Sequence, residues 1–135
     1  MSNKKLDQLI DQMENYLECW KQFHHFVNVA RSKNFSVEDE NQFLEVKSVI
    51  TQQLELLMGS IEGGTVTRED VHGLIGSAPS LRYLGEMNEG GLRNVENQWH
   101  KLFIAWQAVL GQLKVKQREF ESQGLFSSLF KRKKS

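Results

Sequence analysis

The pattern of apolar positions in residues 3–33 predicts a long amphipathic helix. Seven residues alternate four and three positions apart, and a second row recurs every seven residues beside them. Together the rows form a stripe wider than a coiled-coil seam, which is typical of a helix that contacts two neighbours in a bundle. The first row is Leu6, Ile10, Met13, Leu17, Trp20, His24 and Val27, and the second is Leu9, Tyr16, Phe23 and Ala30.

The middle of the chain predicts a second regular helix and then an irregular element. Ser36, followed by acidic residues, is a typical N-cap, and apolar residues then recur at helical spacing until the glycines of residues 59–64. Thr67 and Asp70 form a near-standard capping box, but glycines and Pro79 interrupt the segment that follows. We expect residues 64–91 to form either two short helices, the second opened by Pro79, or one bent helix.

A second long periodic segment starts at Leu92 and predicts the last helix. Its apolar residues alternate three and four apart as far as Leu113, and Gly124 is the expected stop. The pair Gly90-Gly91 is compatible with a turn or with a position inside this helix. The aromatic residues expected to pack the centre of the fold are Trp20, Phe23, Trp99 and Trp106.

These segments predict an all-α fold, namely an antiparallel four-helix bundle with an irregular, glycine-punctuated third element. The bundle is expected to occupy residues 1–123, and residues 124–135 are expected to form a flexible basic-hydrophobic C-terminal tail.

Composition narrows the class of protein. Apolar residues make up 39% of the 135 positions, charged residues make up 25%, and Pro79 is the single proline. Cys19 is the single cysteine, so no intramolecular disulfide can form. No stretch has the composition of a signal peptide or of a membrane-spanning helix, so we expect a cytoplasmic protein, with peripheral attachment to a membrane left open.

The net charge of zero conceals an asymmetry along the chain. Residues 1–96 carry nine Lys or Arg against fifteen Asp or Glu, whereas residues 97–135 carry eight against two. Two interpretations are open. The basic last helix could pack beside acidic neighbours within the bundle, or it could face an anionic membrane or nucleic acid.

Residues that could carry out chemistry are few. His24 falls on the core seam of the first helix, where a lone histidine is usually structural, and Glu96 and His100 share one face of the last helix. Cys19 lies inside a helix rather than at an N-terminus that would favour a thiolate. The sequence contains a single E-x-x-H pair, Glu69 and His72, whereas a di-iron bundle needs one on each of two helices, and it has no glycine-rich phosphate loop. We therefore expect no catalytic residue, metal or cofactor.

The C-terminal tail is the feature with the most specific physical interpretation. Its apolar residues fall on one side of a short helix and are followed directly by four cations, a combination typical of reversible attachment to an anionic membrane. A docking peptide for a protein groove and a solubilising end are the alternatives, and a nucleic-acid contact is disfavoured because the whole domain is neutral. The candidate binding residues are Leu125, Phe126, Leu129, Phe130, Lys131, Arg132, Lys133 and Lys134.

The sequence thus favours a non-enzymatic helical interaction module, an adaptor or scaffold, that presents its tail to a protein partner or an anionic membrane. The alternative is a small-ligand-binding or metal-binding bundle with a possible catalytic role, for which His24, Glu96 and His100 are the first residues to test. A homodimer is a third hypothesis, based on incomplete burial of the wide apolar stripes.

Overall fold

The computed structural model describes residues 3–61 and 66–133, with side chains as far as Gly124. Within these ranges the fold contains helices and no strand, which confirms the predicted all-α class. The helices are α1 (Lys4–Ser32), α2 (Val37–Ser60), α3 (Arg68–Ser77), α4 (Leu81–Gly85) and α5 (Glu89–Lys133).

Side chains cap the helices at the predicted places. Ser36 begins α2 with a capping box, in which its hydroxyl accepts from the Asp39 N–H and the Asp39 carboxylate accepts from the Ser36 N–H. Thr67 and Asp70 repeat this arrangement at the start of α3. Each box satisfies two backbone donors that the first turn of a helix leaves free.

The irregular element consists of two short helices, α3 and α4, and the prediction that Pro79 opens the second was wrong. Ser80 is the N-cap of α4, and its hydroxyl accepts a 3.0 Å hydrogen bond from the Tyr83 N–H. Pro79 therefore lies one residue before the cap and outside the helix. At the other end of α4, a Cβ on Gly85 would come within 2.9 Å of the Phe35 ring, so a larger residue there would require the ring to move.

Helix α5 is longer than predicted. It begins at Glu89, so Gly90-Gly91 lie in its first turn, where Asn88 accepts a 2.7 Å hydrogen bond from the Gly91 N–H. It also continues through Gly124 to Lys133, so the predicted stop at Gly124 was wrong. The helix continues through Gly124 because a single glycine costs only about 1 kcal/mol in a helix interior. The residues before it, such as Lys116 and Glu119, favour helix.

Helix α1 is central to the fold, since it packs against α2, α4 and α5. All five helices contribute fully buried side chains to the core, and the large aromatic residues Trp20, Phe23 and Trp106 are each at most 1% exposed. Trp99 lies at the edge of this core and is only partly buried, so its predicted central place was wrong. A buried indole N–H usually has a hydrogen-bond partner, and at this position the N–H of Trp99 donates to the main-chain oxygen of Trp20.

Helices α1 and α5 run antiparallel along their whole contact. Gln117 donates to Asp7 at one end of the pair, and Arg31 binds Glu89 at the other.

In the parts of the chain that the structure describes, no helix combines the length and apolarity needed to cross a bilayer.

Candidate functional site

A group of polar side chains joins α1 to α5 near the C-terminal end of α1. We call it the α1–α5 cluster, and it consists of His24, Asn28, Arg31, Glu89 and Glu96. His24 Nε2 lies 2.9 Å from Glu96 Oε2, and an Arg31 Nη donates to the other oxygen of Glu96. Both carboxylate oxygens of Glu96 therefore have a partner on α1.

Arg31 contacts three of the four other members of the cluster, although no sequence pattern indicated it. Its Nε donates to Glu89 at 3.1 and 3.2 Å, and its two terminal nitrogens donate to Asn28 and Glu96. Arg31 lies three residues after Asn28 and seven after His24, so helical spacing places all three on one face of α1. The planar guanidinium suits this simultaneous binding of two carboxylates.

Trp99 closes the cluster against the core. Its ring stacks on His24 with 4.5 Å between centroids and 24° between planes. Its Nε1 donates a 2.7 Å hydrogen bond to the main-chain oxygen of Trp20. Trp99 of α5 thus contacts both a side chain and the backbone of α1.

The charges in the cluster stabilise one another. Partial burial tends to raise the pKa of Glu96, but the hydrogen bonds from His24 and Arg31 outweigh it, so that this pKa is lowered. The bonds to Glu96 and Glu89 raise the pKa of Arg31. The side chains of Arg31 and Glu96 are 29% and 26% exposed, so their ion pair is screened less than a fully exposed one.

The predicted set of His24, Glu96 and His100 is only partly brought together. His24 and Glu96 are in contact, but His100 is exposed, and no hydrogen bond joins it to Glu96 among the described side chains. Nor do the described residues contain three His, Cys, Asp or Glu side chains grouped closely enough to hold a metal ion.

Cys19 lines a groove of about 430 Å³ between α1 and α2, beside His25 and Asp39. Burial, and to a lesser extent Glu18, raises the pKa of the Cys19 thiol. A raised pKa lowers the fraction of thiolate at neutral pH, which is opposite to the setting that activates a cysteine nucleophile.

A second set of polar contacts fixes the start of α4. Glu40 of α2 accepts hydrogen bonds of 2.7 and 3.2 Å from the N–H groups of Leu81 and Arg82. Lys47, about two helical turns after Glu40 on α2, donates a 3.1 Å hydrogen bond to the main-chain oxygen of Pro79. These contacts join positions 32 to 42 residues apart, so local sequence patterns could not indicate them.

The predicted tail residues can be located only in part. The backbone of residues 125–133 belongs to α5, but the side chains predicted to bind a partner lie outside the described part of the chain, as does the whole of Lys134. These side chains are Leu125, Phe126, Leu129, Phe130, Lys131, Arg132 and Lys133.

Comparison of the chain with protein-family models, curated proteins and solved structures found no significant match.

Proposed function

We propose that this chain is a non-enzymatic interaction module, an antiparallel four-helix bundle that attaches to an anionic membrane surface through the end of α5. In this arrangement α3 and α4 together occupy the place of one helix. Arg68, at the start of α3, binds Glu55 in the second half of α2, and Pro79, before α4, contacts Lys47 in its first half. The α3–α4 segment therefore runs antiparallel to α2.

The observation that carries the proposal is the length of α5. Gln117 binds Asp7 in the first turn of α1, and α5 continues over positions 118–133. At 1.5 Å per residue, these positions extend helix α5 by about 24 Å. Helix α1 begins at Lys4, so most of this segment lies beyond the N-terminal end of α1, and the segment includes the predicted binding residues from Leu125 to Lys133.

The residues of this segment suit an anionic lipid surface. On a helix, Leu125, Phe126, Leu129 and Phe130 are spaced to share one side, and Lys131 to Lys134 are all basic. Burial of large apolar groups and attraction of adjacent cations act together in reversible membrane attachment, and each cation near the surface contributes about 1 kcal/mol. A protein groove that accepts an amphipathic helix is the alternative target.

Co-sedimentation with vesicles tests the proposal. We expect the full chain to bind vesicles that contain phosphatidylserine, to bind neutral phosphatidylcholine vesicles weakly, and to release from the former as salt is raised. Truncation after Gln123 should abolish binding. The double change F126S and F130S should weaken it strongly although all four cations remain.

A matched control is Leu56→Ser, because Leu56 is an exposed apolar residue of α2 at 59% exposure. This variant should bind like the unchanged chain. Failure of the full chain to bind anionic vesicles at low salt would overturn the membrane proposal and leave a protein groove as the target, to be sought with residues 118–135 as bait.

A further inference from the structure

The solvent-facing side of α5 carries an apolar strip that no other part of the described chain covers. It consists of Ile104, Ala108, Gly111 and Val115, and we call it the outer strip. These residues are spaced four, three and four apart, so they share one side of the helix, opposite the core residue Trp106. All four are exposed, and Ile104 and Val115 are 52% and 51% exposed.

Gly111 is unexplained by the packing of the chain itself. A Cβ added there would meet no atom within 4 Å. A glycine inside an exposed helix costs about 1 kcal/mol relative to alanine. No close contact within the described chain accounts for this cost at Gly111. Small residues at Gly111 and Ala108 would, however, allow a second helix to approach closely at this place.

The outer strip is symmetric about its own midpoint. Ala108 and Gly111 lie equally far from the point between positions 109 and 110, and so do Ile104 and Val115. If a second copy of α5 packs antiparallel with its midpoint here, Ile104 faces Val115 of the other copy and Ala108 faces Gly111. A surface that complements itself in this way is what a two-fold dimer interface requires.

One pair of opposite charges beside the strip follows the same symmetry. Lys101 and Glu119 are exposed and lie on one edge of the outer strip, at nearly equal distances from its midpoint. An antiparallel copy therefore places Lys101 beside Glu119 of the other copy, and the two-fold axis repeats this pair at the other end. Arg118 lies on the opposite edge of the strip, level with His100 of the other copy.

We propose that the outer strip is a dimerisation surface on which a second copy of this chain packs its α5 antiparallel. The strip is only four residues long, which indicates a small interface and a weak, reversible dimer. The C-terminal ends of the two α5 helices point in opposite directions. If the proposed membrane function also holds, the dimer can bridge two surfaces, but the dimer itself does not depend on that function.

Sedimentation equilibrium of the full chain over about 1 to 500 µM, without lipid, tests the proposal. We expect a monomer–dimer equilibrium. Ala108→Glu places a charge at the midpoint and should weaken the dimer at least 100-fold, and circular dichroism should show unchanged helix content. Leu56→Glu, at an exposed position of α2, is the matched control and should leave the dissociation constant unchanged.

A charge exchange tests the antiparallel orientation. Lys101→Glu and Glu119→Lys should each weaken the dimer about five-fold, and the double variant should restore it to within about two-fold. A chain that remains monomeric at 500 µM, or a dimer unaffected by Ala108→Glu, would overturn the proposal. A dimer that Ala108→Glu disrupts but the double exchange does not restore would overturn the antiparallel arrangement.

Discussion

The indole Nε1 of Trp99 donates a 2.7 Å hydrogen bond to the main-chain oxygen of Trp20. This bond spans the α1–α5 interface and satisfies the only polar atom of a side chain that is otherwise packed against His24 and Phe103. Trp99→Phe keeps a ring in this place but removes the donor. We expect the free energy of unfolding, measured by urea denaturation, to fall by about 1 kcal/mol.

A comparison with Trp99→Ala separates the bond from the packing. That variant also loses the ring contacts and should be clearly less stable than Trp99→Phe. Equal stability of Trp99→Phe and the unchanged protein would mean that this bond contributes nothing net to the joining of α1 and α5.

Glu96 should make stability depend on pH in the acid range. Its pKa is lowered in the folded protein below the ordinary value of 4.5, because the bonds from His24 and Arg31 outweigh the effect of burial. A lowered pKa stabilises the fold above about pH 4.5, and this stabilisation is lost as the pH falls through the folded-state value. Glu96→Gln should therefore reduce stability at pH 7 by about 1–2 kcal/mol, and the deficit should shrink between about pH 5 and the folded-state pKa.

The matched control for this prediction is Glu45→Gln on α2. Glu45 is exposed and has no hydrogen-bond or ion-pair partner among the described residues. Its substitution should change neither the stability at pH 7 nor the pH profile. A deficit of Glu96→Gln that is the same at pH 3 and pH 7 would contradict an origin in the ionised carboxylate.

The helices were predictable because their apolar periodicity extends over many turns. Leu6, Met13 and Trp20, assigned to the core from spacing alone, are 8%, 0% and 0% exposed. His24 shared that spacing but lies at the edge of the core, because the facing helix places Glu96 and Trp99 beside it. Which residues of two helices face each other depends on how the helices are positioned relative to each other. The apolar periodicity of a single helix does not contain this information.

The polar contacts that fix the shorter helices were missed for the same reason. Glu40 reads locally as a first-turn carboxylate of α2, which stabilises the N-terminus of its own helix. In the folded chain it also serves as an acceptor for α4, 41 residues away. The tail was recognised from local composition, but its helical backbone beyond Gly124 was not, because a glycine near the expected end of a helix usually indicates a stop.

Removal of the Glu40 carboxylate should loosen α4 specifically. Glu40→Ala leaves the N–H groups of Leu81 and Arg82 without their side-chain acceptor, and loss of two charge-assisted bonds should cost about 1–3 kcal/mol. Amide hydrogen exchange should become faster at Leu81 and Arg82. Glu38→Ala removes another first-turn carboxylate of α2 and is the control, since it should not change exchange in α4. Equal acceleration in both variants would assign the effect to α2 rather than to the α4 contact.

We expect that removal of the Tyr16 hydroxyl group, by the change Tyr16→Phe, does not destabilise the protein. The side chain is 1% exposed and packs edge-on against Trp106 with 5.2 Å between ring centroids. Burial raises the pKa of Tyr16, and no group among the described residues has hydrogen-bond geometry to its hydroxyl. A buried polar group without a partner costs about 1–3 kcal/mol. Tyr16→Phe keeps the ring and should leave the thermal midpoint unchanged or raise it.

Trp106→Ala provides the opposite comparison at the same contact. It removes a ring that is 1% exposed and leaves a large cavity beside Tyr16, so we expect a loss of about 3–5 kcal/mol. Leu56→Ala, at an exposed position, should change stability by less than about 0.5 kcal/mol. If Tyr16→Phe instead destabilised the protein by more than about 1 kcal/mol, the hydroxyl would have to be bonded in solution. The aromatic centre would then contain a polar contact that stabilises the fold, and Trp20 and Trp106 would be the first residues to test for it, because their indole nitrogens are buried beside the same ring.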